Sequence, residues 1–185
     1  AIKEAITSKF FVLTGGPGTG KTTVIKGILK TYAKVRKFNL YSDKEIISLA
    51  APTGKAARRM KESTDLPATT IHALLGLFSS DEDELDDPLD ESLEADLLVI
   101  DEFSMVDTWL AKKLFESVDS RTQVILVGDQ DQLASVGPGQ VLGDLLQLNE
   151  IPKIKLQTVF RQGSESTIVK LANYIKDGKL PADWR

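Results

Sequence analysis

The chain contains no cysteine, a single histidine and only 6% aromatic residues. Without cysteine it can form no disulfide, no thiolate metal site and no sulfur nucleophile. With His72 alone it cannot build a histidine-rich metal centre either. No apolar run approaches the roughly 18 residues that a membrane-spanning helix needs, so no contact with a bilayer is expected. The opening Ala1-Ile2-Lys3-Glu4-Ala5-Ile6 lacks the basic flank and long apolar stretch of a secretory signal. A cytoplasmic location is the default expectation, since a cysteine-free chain suits a reducing compartment.

What is present is ordinary for a globular domain: 185 residues, 42% hydrophobic and 27% charged. The net charge of -4 conceals an uneven distribution. Ten acidic residues and no basic one lie between Asp81 and Asp96, leaving the rest of the chain with 17 acidic against 23 basic residues. The stretch 79–92 reads as an acidic loop or insertion, and the remainder is basic enough for a local nucleic-acid-binding face.

Short apolar runs alternate with helical stretches. Strands are expected at 10–13, 46–50, 97–100, 124–127 and 154–156. Helices are expected near 22–35, 54–61, 108–117, 140–147 and 166–176. Continuous apolar runs indicate strands buried on both faces, and interleaved helices make the sheet parallel. The expected fold is α/β: a three-layer, parallel-sheet nucleotide-binding domain. In such a sheet, ligands bind beyond the carboxyl ends of the strands.

After the first strand comes Gly15-Gly16-Pro17-Gly18-Thr19-Gly20-Lys21-Thr22, followed by Thr23, a complete P-loop pattern. Glycines let successive backbone N–H groups face a polyphosphate, and the following helix adds its dipole. Lys21 is expected to reach the β- and γ-phosphates of ATP, and the Thr22 hydroxyl to bind Mg²⁺. Leu97-Leu98-Val99-Ile100 leads into Asp101 and Glu102, a Walker B arrangement. Asp101 is the expected metal ligand and Glu102 the base for the attacking water. Asp107 reads as a helix cap rather than a second ligand. Past the fourth strand, either Gln130 or Gln132 has the chemistry to sense the γ-phosphate. Lys55, Arg58, Arg59 and Lys61 form the densest basic cluster, suited to nucleic-acid phosphates or simply to an exposed helix face.

Taken in order, these segments resemble superfamily-one helicases of the RecD-like group, which includes the alpha chain of exodeoxyribonuclease V. Leu13–Thr23 resembles motif I, and Ala51–Met60 resembles motif Ia. Thr70–Gly76 is similar to the motif that follows, and Ile100–Asp107 to motif II. Gly128–Leu133 with Val136–Gly139 resembles motif III, and Val159-Phe160-Arg161-Gln162 resembles motif IV. The resemblance implies a first RecA-like motor domain over 1–185, driving 5′-to-3′ translocation on DNA in recombination or repair. It implies that Gln132 and Arg161 sense the γ-phosphate. It also implies that Pro52, Thr53, Gly54, Lys55, Arg58, Arg59 and His72 lie along single-stranded DNA. Partners of the RecBCD type, with nuclease and helicase subunits, would follow. So would an adenine-reading glutamine shortly before Ala1 and a second RecA-like domain with its arginine finger beyond Arg185. Ala134 departs from the family, which usually has proline there. A nucleotide-dependent module that regulates a nuclease is the alternative; a P-loop kinase would leave Glu102 and the DNA-like motifs without a purpose.

Overall fold

A computed structural model describes residues 1–43, 46–77, 93, 95–132, 135–158, 174 and 178. The elements in chain order are α1 (Ile2–Thr7), β1 (Phe10–Gly15), α2 (Lys21–Arg36), β2 (Ile47–Ala51), α3 (Gly54–Thr64), β3 (Thr69–Thr70) and α4 (Ile71–Leu74). They continue with β4 (Leu97–Ile100), a 3₁₀ turn (Phe103–Met105), α5 (Thr108–Ser117), β5 (Gln123–Gly128), α6 (Val141–Gln147) and β6 (Lys153–Leu156). The six strands form one sheet in the order β3-β2-β4-β5-β1-β6, with every pairing parallel.

Strand periodicity divides the core in two. Phe11, Leu13, Leu49, Leu97, Val99, Ile125 and Val127 point to one face, where they meet Ile25, Ile28, Leu29 and Tyr32 of α2 and Met60 of α3. Val12, Ala50, Leu98, Ile100, Val124 and Leu126 point to the other. There they pack on Ile71 of α4, Phe103 and Val106 after β4, Leu110 and Leu114 of α5, and Leu142 of α6. Central strands with both faces covered favour apolar residues, which is why β4 and positions 124–127 of β5 read as unbroken hydrophobic runs. The expected three-layer parallel α/β architecture is the observed one.

Four elements were not expected from the sequence. Helix α1, strand β3, helix α4 and the 3₁₀ turn span six, two, four and three residues. None is long enough to show a periodicity of its own. Each is held by tertiary contact: Ala5 of α1 is fully buried, and β3 is fixed by its register with Ala50 and Ala51. The helix expected at 166–176 and the acidic stretch 79–92 lie outside the described residues.

Gly128 ends β5 at a crowded point. A Cβ there would lie 2.7 Å from the Leu142 side chain and 3.1 Å from the Ser104 backbone nitrogen. Gly128→Ala should therefore cost about 1–3 kcal/mol through overpacking against backbone. A thermal melt should show a midpoint lower by several degrees, and an unchanged midpoint would refute this packing.

Candidate nucleotide site

Parallel strands place every carboxyl end on one edge of the sheet. The P-loop leaves β1 there, motif Ia leaves β2, the acidic pair leaves β4 and the motif III segment leaves β5. β1 and β4 both neighbour β5, so the phosphate loop and the acidic pair stand two strand spacings apart, about 10 Å.

The loop curls because Gly18 and Gly20 take positive φ of 76° and 85°, a region where a side chain would clash. The buried Thr19 closes the turn by donating its hydroxyl to the Gly16 carbonyl at 2.8 Å. No side chain caps α2, whose N-cap is Gly20. Its first-turn amides are thus left to whatever anion docks there. Lys21 Nζ donates to the Gly15 carbonyl at 2.6 Å and the Gly16 carbonyl at 3.2 Å, keeping its charge at the mouth of the loop. Pro17, Thr22 and Thr23 are exposed there.

Across β5, Asp101 Oδ1 accepts from the Glu102 backbone N–H at 2.8 Å. Burial pushes the Asp101 carboxyl up from 3.8 to about 6. The nearby Glu102 charge raises it further, while the Glu102 amide and the Lys21 ammonium oppose the shift. Glu102 itself sits in the left-handed region, at φ 52° and ψ 36°. Its Oε2 is buried without a hydrogen-bond partner among the described residues. A backbone strained at this position and a carboxylate oxygen left unpaired are both unfavourable alone, and such features concentrate at functional sites.

The remaining predicted residues fall as follows. Thr53 caps α3, its hydroxyl accepting from Ala56 N–H at 3.2 Å; Pro52 is partly buried beside it, and Gly54, Lys55, Arg58 and Arg59 are exposed. His72 is exposed on α4, after Thr70 has capped that helix. Gln130 and Gln132 are both exposed, and the Gln132 N–H donates to the Asp129 carbonyl at 3.2 Å. Arg161 lies outside the described residues. Asp107 is the helix cap expected of it, accepting from Leu110 N–H at 2.8 Å.

Sequence reasoning missed two polar atoms, Thr14 Oγ1 on β1 and Ser104 Oγ in the 3₁₀ turn, both buried without partners among the described residues. Each lies within a motif segment, but only packing reveals that its hydroxyl is enclosed. An apolar groove of about 530 Å³ between Phe10, Phe115, Leu145, Ile151 and Pro152 lies at the amino-terminal edge of the sheet, away from these groups.

The donor set suits Mg-nucleotide. A threonine hydroxyl and a carboxylate are hard oxygen ligands, and Mg²⁺ is ordinarily held by one or two protein oxygens with substrate phosphates and water supplying the rest. Among the described residues there is no cluster of three or more His, Cys, Asp or Glu that would enclose a metal completely.

The profile of a family described as AAA domain matches residues 1–138. The chain belongs to this AAA domain family. The domain is 38% identical to the RecBCD enzyme subunit RecD of Mycolicibacterium smegmatis, over 98% of this chain and 35% of that protein. It is 39% identical to the ATP-dependent RecD2 DNA helicase of Deinococcus radiodurans, over 94% of this chain and 22% of that one. The chain therefore spans about a third or less of the relatives it matches. Among solved structures, a Bacteroides Pif1 helicase in complex with ADP-AlF3 and ssDNA superposes with a TM-score of 0.63 at 25% identity. That superposition covers 98% of this chain and 46% of the other. The RecD-like resemblance carried by the motifs, and the RecA-like parallel fold, are thereby borne out.

The raised Asp101 pKa has a definite consequence for stability. A carboxyl whose folded pKa lies above its unfolded value favours the folded state in its protonated form. The penalty is absent below about pH 4, grows as pH rises through about 6, and amounts to roughly 3 kcal/mol above that. Asp101→Asn should raise the metal-free melting temperature by several degrees at pH 7 and change it little at pH 4. Equal melting at pH 7 would show that the buried charge is not destabilising.

Proposed function

We propose that this domain is the ATP-binding motor of a DNA helicase. It hydrolyses ATP to translocate 5′-to-3′ along single-stranded DNA in recombination or repair, within a cytoplasmic protein. The observation that carries the reading is the pairing of an uncapped P-loop helix bearing Lys21 with the strained Glu102, one of whose carboxylate oxygens is buried and unpartnered, across β5. Similarity to RecD and RecD2 proteins supports DNA as the track. Residues 1–185 are read as one RecA-like domain of a longer motor, and nuclease and helicase subunits of a RecBCD-like assembly are the partners that similarity to RecD suggests.

In this reading Gly15, Gly16, Gly18, Thr19 and Gly20 present backbone N–H groups to the phosphates, Pro17 fixes the turn of the loop without donating, and Lys21 balances the phosphate charge. Thr22 and Asp101 would hold Mg²⁺, which neutralises phosphate charge when bound. Glu102 takes a proton from the water that attacks the γ-phosphorus; the bond from that phosphorus to the ADP oxygen breaks, leaving ADP and phosphate. No protein group among the described residues competes for the unpaired oxygen of Glu102, so its carboxylate would be free to orient that water once nucleotide is bound. Gln132 and Arg161 complete the γ-phosphate contacts, following the motif resemblance. Pro52, Thr53, Gly54, Lys55, Arg58, Arg59 and His72 lie along the DNA.

Mg-ADP at 100 times its dissociation constant should stabilise the domain by about 2.7 kcal/mol. That corresponds to a rise in melting temperature of roughly 5–10 °C at this size. Lys21→Ala should lose most of the rise. Glu102→Gln should retain nucleotide binding while steady-state phosphate release in the presence of single-stranded DNA falls by roughly 100-fold or more. A Glu102→Gln protein that turns over at the parental rate would remove Glu102 from this mechanism.

A further inference from the structure

The carboxyl edge of the sheet carries an apolar feature that the nucleotide chemistry does not use. Met105, at the end of the 3₁₀ turn, is 42% exposed, and Trp109, in the first turn of α5, is 44% exposed. Val136, in the motif III segment, is completely exposed. Tertiary contacts join the segments bearing these side chains. Thr108 N–H donates to the Pro138 carbonyl at 3.0 Å. Gly137 and Gly139 sit so close to Asp107 and Thr108 that a Cβ on either would lie about 2 Å from those side chains. Val136 is therefore held beside the start of α5. A single exposed apolar residue needs no explanation, but a patch fixed at the ligand-binding edge does.

We propose that Trp109, with Met105 and Val136 beside it, is a base-stacking platform for single-stranded nucleic acid. The proposal rests on the DNA-motor reading and names residues outside the segments that motif resemblance assigns to DNA. The surrounding charge selects the occupant. Lys112 and Lys113 lie on the next turn of α5 from Trp109, and Lys112 pairs only at the surface with Glu116, at 3.6 Å. The exposed cations of α3 follow β2 at the same carboxyl edge, with α3 packed on the opposite face of the sheet from α5. The closest acid in sequence, Asp107, is turned inward to cap α5. An exposed aromatic with lysines on the next helical turn suits a strand whose phosphates lie on the cations and whose bases stack on the ring. That pairing is sequence-tolerant because every base has a π-face.

The test uses a Trp184→Phe background, which leaves Trp109 as the only tryptophan, and a dT15 oligonucleotide as probe. Binding should quench the fluorescence of Trp109. Trp109→Ala should weaken dT15 affinity by roughly ten-fold or more, while Trp109→Phe should keep most of it. The salt dependence of binding should be unchanged by Trp109→Ala, because stacking releases no counterion. It should become shallower when Lys55, Arg58 and Arg59 are replaced together. Unquenched fluorescence, or equal dT15 affinity for Trp109→Ala, would overturn the platform and leave the motor reading standing. Failure of the Trp184→Phe protein to bind dT15 would overturn both. If Trp109→Ala instead abolishes a concentration-dependent dimer in sedimentation and leaves dT15 binding intact, the patch is a self-association face and the platform is wrong.

Discussion

Parallel pairing of strands buried on both faces is the constraint on which the rest of this structure depends. Parallel strands send all their carboxyl ends to one edge, so segments far apart in the chain are delivered to a single surface. Helices returning over both faces supply the burial that permits continuous apolar strands. Because Leu13, Leu97, Val99, Ile125 and Val127 anchor one core and Val12, Leu98, Ile100 and Leu126 the other, register is fixed on both sides. A one-residue slip would send each set into the opposite layer. The phosphate loop and the acidic pair thus hold their separation without any direct bond between them.

On that rigid edge the domain carries unfavourable local terms. Asp101 is desolvated, Glu102 is bent into the left-handed region, and three buried side-chain oxygens have no partners among the described residues. The core around them is continuous enough to hold these positions against their own preference. In the proposed reading, a hydrated cation with phosphate oxygens would relieve the largest of these terms, the desolvated Asp101 carboxylate. Stability withheld from the free protein in this way reappears as affinity and orientation in the complex.

The contact between the motif III segment and the start of α5 gives the edge a second property. Ser104 packs beneath Gly128, and Pro138 accepts from Thr108. The turn bearing Glu102 and the loop bearing Val136 are therefore neighbours in one packed unit. A change at the end of β5 is mechanically close both to Glu102, the proposed base, and to the start of α5, which bears the exposed Trp109. Such a unit is a physical route by which nucleotide state and strand contact can influence each other.

Much of this was legible in the sequence because it depends on local order. Strand periodicity, the glycine spacing of the P-loop and the acidic pair after an apolar run survive in the one-dimensional pattern, and five of the expected strands and four of the expected helices stand where periodicity put them. Asp107 could be read as a cap because capping is decided within a turn. The order β3-β2-β4-β5-β1-β6 was not legible, since no local signal states which strands pair. Nor were the raised pKa of Asp101, the orphaned oxygen of Glu102 or the contact between the motif III segment and the start of α5. Those follow from desolvation and from contacts between distant segments, and both exist only once the chain has closed around them.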